Sequence, residues 1–173
     1  FFHDEDYYYD RGMRENPPAI RALYLVIIGI LFAFSKVYWR WRVERAEELL
    51  PTGDTGSVII SNHTSMGEVV ATVCHIVRTG RRVRPIMKSE FNKNPIVKWF
   101  FARVGGIPVD RHSDMKALRR AQHALQRGED VLIYPGTRIR TDDQPVEIHG
   151  GFALIARWRK LPWCRLPFAG FVT

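Results

Sequence analysis

The sequence predicts an α/β fold: a mainly parallel sheet flanked by helices, with an N-terminal helix of membrane-associated character. Two observations carry this. From residue 57 onward, short β-branched runs alternate with segments of helical period, the pattern a parallel sheet needs because each crossover takes a helix-length connection. Residues with chemical potential then fall directly after those runs, at the C-terminal strand ends where open α/β sheets place their sites. A length of 173 residues suits one domain with a buried core, and 46% hydrophobic with 25% charged residues argue against disorder and against a polytopic membrane protein.

Residues 1–18, FFHDEDYYYDRGMRENPP, are acidic and aromatic without a sustained period, and Pro17-Pro18 closes them off, so a poorly ordered lead-in is expected. Residues 19–50 are read as the membrane-associated helical segment. Its apolar core, Ala22 to Ser35, is 14 residues long, short of the roughly 20 that span a bilayer. Arg21, Lys36, Arg40 and Arg42 bracket it, and Tyr38, Trp39 and Trp41 are rings that favour the lipid–water boundary. A helix lying in the interface is therefore preferred, with spanning and packing on the domain's own core left open. Tyr, Trp and Arg, rather than small residues, follow the apolar stretch, which argues against a signal peptide. Residues 51–173 form the main domain, expected to continue past Thr173 because the chain stops right after an apolar run. Its expected strands are Ser57–Ser61, Val83–Met87, Ile107–Val109, Val131–Tyr134 and Arg165–Ala169, and its helices lie near Met66–Val77, Pro95–Val104, Asp114–Arg127 and Gly150–Arg159.

The formal net charge of +8 favours an anionic partner, a membrane surface or a phosphorylated small molecule. Residues 69–109 hold eight Lys or Arg against one acid, Glu90. Nucleic acid is set aside because aromatics do not interleave with these bases and no nucleic-acid-binding signature occurs. The two cysteines, Cys74 and Cys164, lack metal-ligand spacing and make no disulfide framework, so no metal is expected and a reducing, cytoplasm-facing location fits.

Three constellations follow successive strands. In VIISNHTSMGE, Val58 to Glu68, a buried strand releases Asn62 and His63, with Glu68 after four intervening residues. A histidine with an ordinary pKa near 6.5 takes a proton at neutral pH, and a nearby carboxylate can hold its ring and favour the imidazolium. In VGGIPVDR, Val104 to Arg111, a glycine turn and a strand end on the fixed positive fork of Arg111. In VLIYPGTRIR, Val131 to Arg140, a buried strand runs into Gly136, Thr137 and Arg138, a loop able to cradle a phosphate.

Asn-His, four residues and an acid, then the Gly-Gly strand with its Arg, then aromatic-Pro-Gly-Thr-Arg together resemble the 1-acylglycerol-3-phosphate acyltransferase (glycerolipid acyltransferase, PlsC-like) family over roughly residues 55–170. Two departures stand out: the family's acid is ordinarily Asp where this chain has Glu68, and its third motif ordinarily has a Glu between the positions of Pro135 and Gly136. The resemblance implies transfer of a fatty acyl group from acyl-CoA or an acyl carrier protein to the hydroxyl of a lysophosphatidate-like acceptor in phospholipid biosynthesis. It implies His63 as general base and Glu68 as its partner. Asn62, Lys88, Arg111, Gly136, Thr137 and Arg138 would bind substrate, Arg111 and Arg138 holding the acceptor's phosphate. No cofactor beyond the thioester co-substrate is implied. The partners are membrane lipids, the two substrates and, for one donor type, the carrier protein, at the cytoplasmic face of the cell membrane. The departures leave open a catalytically impaired member that binds phospholipid. A hydrolase using Ser61 or Ser65 is the other rival, opposed by the lack of a Gly-x-Ser-x-Gly elbow.

Overall fold

The structure is a computed structural model describing residues 3–39, 55–61, 66–109, 115–134 and 163–165. Its strands are β1 (Val58–Ile60), β2 (Val83–Lys88), β3 (Ile107–Val109), β4 (Asp130–Ile133) and β5 (Trp163–Arg165). They form a single sheet in the order β3-β2-β4-β1-β5, every neighbouring pair parallel. The first four lie within or across the expected runs. β5 starts two residues before the expected Arg165 because its pairing with β1 sets Trp163 beside Val58 and Arg165 beside Ile60. The expected helix at Gly150–Arg159 lies outside the described residues.

The helices are α1 (Glu5–Asp10), α2 (Pro18–Trp39), α3 (Met66–Arg78), α4 (Pro95–Arg103) and α5 (Met115–Gln126). Local chemistry sets several of their ends. Asn94 caps α4, its side-chain oxygen accepting from the Ile96 and Val97 N–H groups at 2.9 and 3.4 Å, with Pro95 in the first helical position. Just past α4, Gly105 has φ +86°, a backbone conformation that favours glycine, and a Cβ there would also press on the Met13 side chain, 2.7 Å from its Sδ.

Alternation along the strands splits the core between the two sheet faces. Ile59, Val83 and Leu132 pack with Tyr24 and Ile28 of α2 and Cys74 and Ile76 of α3. Val58, Val131, Ile133 and Ile107 pack instead under Ala117, Ala121, Ala124 and Leu125 of α5. Cys74 is thus a small core residue, its thiol pushed up to about 11 by burial.

The lead-in departs from expectation. Residues 5–15 form α1 and a 3₁₀ turn at Met13–Glu15, and Tyr8, Tyr9 and Met13 are buried. The physical reason is tertiary. Its acids meet bases on α4 and α5: Glu5 pairs with Lys98 at 3.1 Å, Asp6 with Lys116 at 2.9 Å and Arg120 at 2.6 Å, and Asp10 with Arg120 at 2.6 Å. Buried Arg84 at the start of β2 donates to Glu129 at 2.6 Å, to the Tyr9 carbonyl at 3.0 Å and to the Arg11 carbonyl, while the Met13 N–H donates to the other Glu129 oxygen. The segment is a strap across the N-terminal edge of the sheet. Part of the basic run is consequently neutralised internally, with Arg81 on Asp130 at 2.5 Å as a further pair.

Candidate active site

The sheet brings the ends of the strands that precede the three constellations to one edge. Because all strands run the same way, residues leaving β1, β2, β3 and β4 emerge together, and the register sets Ile60 beside Ile133 and Lys88 beside Val109. β1 and β4 are immediate neighbours, so the segments carrying His63 and Gly136–Arg138 leave adjacent strands about 4.8 Å apart. Arg111 follows β3, three positions away from β1 in the sheet, or about 14 Å. Asn62, His63, Arg111, Gly136, Thr137 and Arg138 themselves lie outside the described residues. Lys88 is exposed at the end of β2.

Glu68 sits in the first turn of α3 and is 1% exposed. Thr72, one turn further on the same helix face, is equally buried. Tyr134, the residue after β4, packs against the core beside them with its hydroxyl buried. Burial, followed by the Glu68 charge, raises the Tyr134 phenol well above the ordinary tyrosine range, while the neighbouring Thr72 hydroxyl opposes the shift. The phenol therefore remains an O–H donor beside the carboxylate. Sequence reasoning singled out Glu68 and missed Thr72 and Tyr134. The four-residue step from Glu68 to Thr72 was a legible signal; the approach of Tyr134 depends on β4 lying next to β1.

Helix α2 reaches the same edge. It runs antiparallel to α3: Tyr24 lies near Arg82 beyond the end of α3, Ile28 accepts from the Cys74 thiol at 3.8 Å, and the Arg78 guanidinium sits 4.2 Å over the Phe32 ring. A Cβ on Gly67 would come within 3.0 Å of the Trp39 ring, so the end of α2 touches the start of α3 one residue from Glu68. Its opposite face, Ala22, Leu25, Val26, Gly29, Ile30, Ala33, Phe34, Val37 and Tyr38, is exposed and wholly apolar at helical spacing. By length and composition α2 could cross a membrane.

The Acyltransferase family model matches residues 40–164. Two plant proteins are similar in sequence. One is the chloroplastic 1-acyl-sn-glycerol-3-phosphate acyltransferase LPAT1 of Arabidopsis thaliana, 27% identical over 135 residues that cover 75% of this chain and 37% of the relative. The other is the chloroplastic 1-acyl-sn-glycerol-3-phosphate acyltransferase BAT2 of Brassica napus, 25% identical over 135 residues covering 75% of this chain and 38% of the relative. The chain thus spans less than two fifths of the length of these relatives. No solved structure gives a significant match.

Proposed function

The chain belongs to the Acyltransferase family, matched over residues 40–164, and on that premise we propose that it transfers a fatty acyl group from an acyl thioester to the hydroxyl of a lysophosphatidate-like acceptor at a membrane surface. The donor is acyl-CoA or an acyl carrier protein thioester. The observation that carries the reading is the buried carboxylate of Glu68 five residues beyond His63, at the sheet edge where the third-motif strand lies alongside.

In this mechanism His63 takes the acceptor's hydroxyl proton as the oxygen attacks the thioester carbonyl. The tetrahedral intermediate collapses by breaking the C–S bond, and the imidazolium returns the proton to the departing thiolate. Glu68 orients the ring and balances its transient charge. Arg111 and Arg138 hold the acceptor phosphate with Lys88, Asn62, Gly136 and Thr137 around it. The mechanism requires neither a metal nor a covalent enzyme intermediate.

The two faces of α2 support docking in the plane of one leaflet. A spanning α2 would draw its antiparallel companion α3 with it, placing Arg78 and Arg82 in hydrocarbon at a cost of about 2.5–3.5 kcal/mol each on insertion scales. An in-plane helix buries the outward apolar face and leaves those bases at the headgroups. The face ends at Tyr38 beside the catalytic edge, so lipid acceptor and product need not leave the bilayer surface. We place the chain on the cytoplasmic face, where acyl thioesters are made and thiols stay reduced.

Transfer from a labelled acyl thioester to lysophosphatidate in detergent micelles tests the reading. Wild type should turn over, and His63→Ala should lose about 10²- to 10⁴-fold of the rate. Inserting Glu between Pro135 and Gly136 should raise it. Equal turnover in wild type and His63→Ala would remove His63 as the base, and release of free fatty acid without an acceptor would point to a hydrolase.

A further inference from the structure

Helix α4 carries apolar side chains into solvent that neither the core nor acyl transfer uses. Ile96 is 75% exposed and Trp99 38%, three residues apart on one side of the helix. In the 3₁₀ turn Ser89–Lys93 that leads into the helix, Phe91 is 44% exposed. These groups are held in place. The Arg103 guanidinium lies 4.3 Å over the Trp99 ring, Phe91 stands 6.1 Å from the Phe101 ring, and the Asn94 cap with Pro95 fixes the first turn under Ile96.

The topology sets this face beside the open face of α2. The crossovers β1–α3–β2 and β2–α4–β3 step across the sheet in the same direction, so right-handed connections put α3 and α4 on one side of it. Helix α2 lies on that side as well, meeting α3 at Cys74 and Arg78 and packing Ile20 against Ala102 of α4. The three helices form one layer, whose outward surface carries Ile30 and Phe34 on α2 and Ile96 and Trp99 on α4. Both apolar faces reach the catalytic edge, where α2 ends at Trp39 and α4 begins at Pro95, soon after the end of β2. Charge of one sign surrounds them. Lys88 and Lys93 are exposed at the turn, Arg78 is exposed on the flank of α2, and Glu90 is the only acid from Lys88 to Arg103.

Apolar groups ringed by bases complement a leaflet that contains anionic lipid, since inserted surface and headgroup attraction add. We propose that α4 and the 3₁₀ turn before it are a second bilayer contact, resting on such a leaflet beside α2. This builds on the in-plane docking of α2 and supplies what one helix lacks. A helix held along a single line is free to roll on the surface; a second line of contact removes the roll and sets the height of the catalytic edge above the lipid. An acidic protein would match the same bases, but a protein seated on α4 would have to share one plane with the leaflet under α2, and the coplanar faces favour lipid at both.

The test is flotation of the full chain, transferred from detergent onto phosphatidylcholine vesicles with and without phosphatidylglycerol, with affinity read from the lipid concentration needed. Ile96→Asp should weaken binding to the anionic vesicles about tenfold or more. An acid in the first turn suits a helix start, so this variant should keep the wild-type thermal midpoint. Lys93→Gln should weaken binding about fivefold on the anionic vesicles and leave it unchanged on phosphatidylcholine alone. Met115→Asp, at a position 54% exposed on α5 across the sheet, should bind as wild type does. Undiminished binding to the anionic vesicles by either Ile96→Asp or Lys93→Gln overturns the proposal, and so does an equal loss in Met115→Asp. Intact flotation of Ile96→Asp with loss of a saturable complex with an acidic acyl carrier protein overturns it too and assigns the face to a protein. The readout needs no turnover, so it stands apart from the acyl-transfer reading. Ile30→Asp with Phe34→Asp checks α2 on its own: full flotation of that pair beside an impaired Ile96→Asp removes the α2 contact and keeps the one at α4.

Discussion

Burial decides what the side chains around Glu68 can do. Glu68, Thr72 and the Tyr134 hydroxyl are all buried, where each hydrogen bond is stronger than in water and each missing one costs more. Tyr134→Phe keeps the ring and removes the donor, so kcat should fall about tenfold, with stability lower by about 1 kcal/mol. An unchanged kcat would take Tyr134 out of the site. On the outer side of α3, half-buried His75 has its pKa lowered by burial first, then by Lys36 and Arg78. The folded chain therefore binds that proton less readily than the unfolded one. Stability is complete above the unfolded value near 6.5 and declines as pH falls below it. His75→Gln should flatten the fall in thermal midpoint between about pH 7 and 5; an identical decline in both proteins would assign it to other groups. At this scale the sequence made Glu68 legible through its spacing from His63, but spacing has no means of showing that Tyr134 closes the same space.

Among the elements, α2 shows how one periodic pattern can carry a packed face and an open one. The apolar stretch read from the sequence as 14 residues becomes a helix of 22 residues, about 33 Å long, because the four residues before it, from Pro18, and the four after it, to Trp39, continue the turn. Packing on the domain, left open as an alternative, describes the face carrying Tyr24 and Ile28, while the face carrying Ile30 and Phe34 is exposed and its contact with a lipid interface is the proposal. Charging the second face separates the two roles. Ile30→Asp with Phe34→Asp should weaken flotation with anionic vesicles at least tenfold and leave the thermal midpoint within a few degrees; full flotation would move the docking surface elsewhere. Deleting the first 42 residues is a poorer test, since it also removes the strap. The connection into β1 is tight in another way: a Cβ on Gly56 would meet the Glu129 carbonyl oxygen at 2.4 Å and Leu125 backbone atoms at 2.7 and 2.8 Å. Gly56→Ala should cost about 1–3 kcal/mol by chemical denaturation, as overpacking against backbone does. A neutral effect would mean that the α5–β4 turn yields.

In the whole molecule, the two sheet edges have separate tasks. The C-terminal ends of β1, β3 and β4 lead into the segments proposed to be catalytic, and the N-terminal edge is closed by the strap through Arg84 and Glu129, 1% and 3% exposed in their side chains. Arg84→Met would leave Glu129 buried without its partner and release the Tyr9 and Arg11 carbonyls, for a loss of about 3–5 kcal/mol seen as a lower denaturation midpoint. A loss under 1 kcal/mol would mean that the strap holds by its tyrosines alone. The sequence by itself determined the α/β class, the first four strands, the helices between them and the order in which His63, Arg111 and Arg138 leave the sheet, because periodicity and motif spacing are local properties of the chain. Only the tertiary structure decided that the acidic lead-in is a strap and that α2 divides into a packed and an open face. Those outcomes rest on contacts such as Arg84 with Tyr9, 75 residues apart in the chain, and on a strand order that sets β4 between β2 and β1. Such contacts form only when distant charges and apolar faces compete for the same buried space.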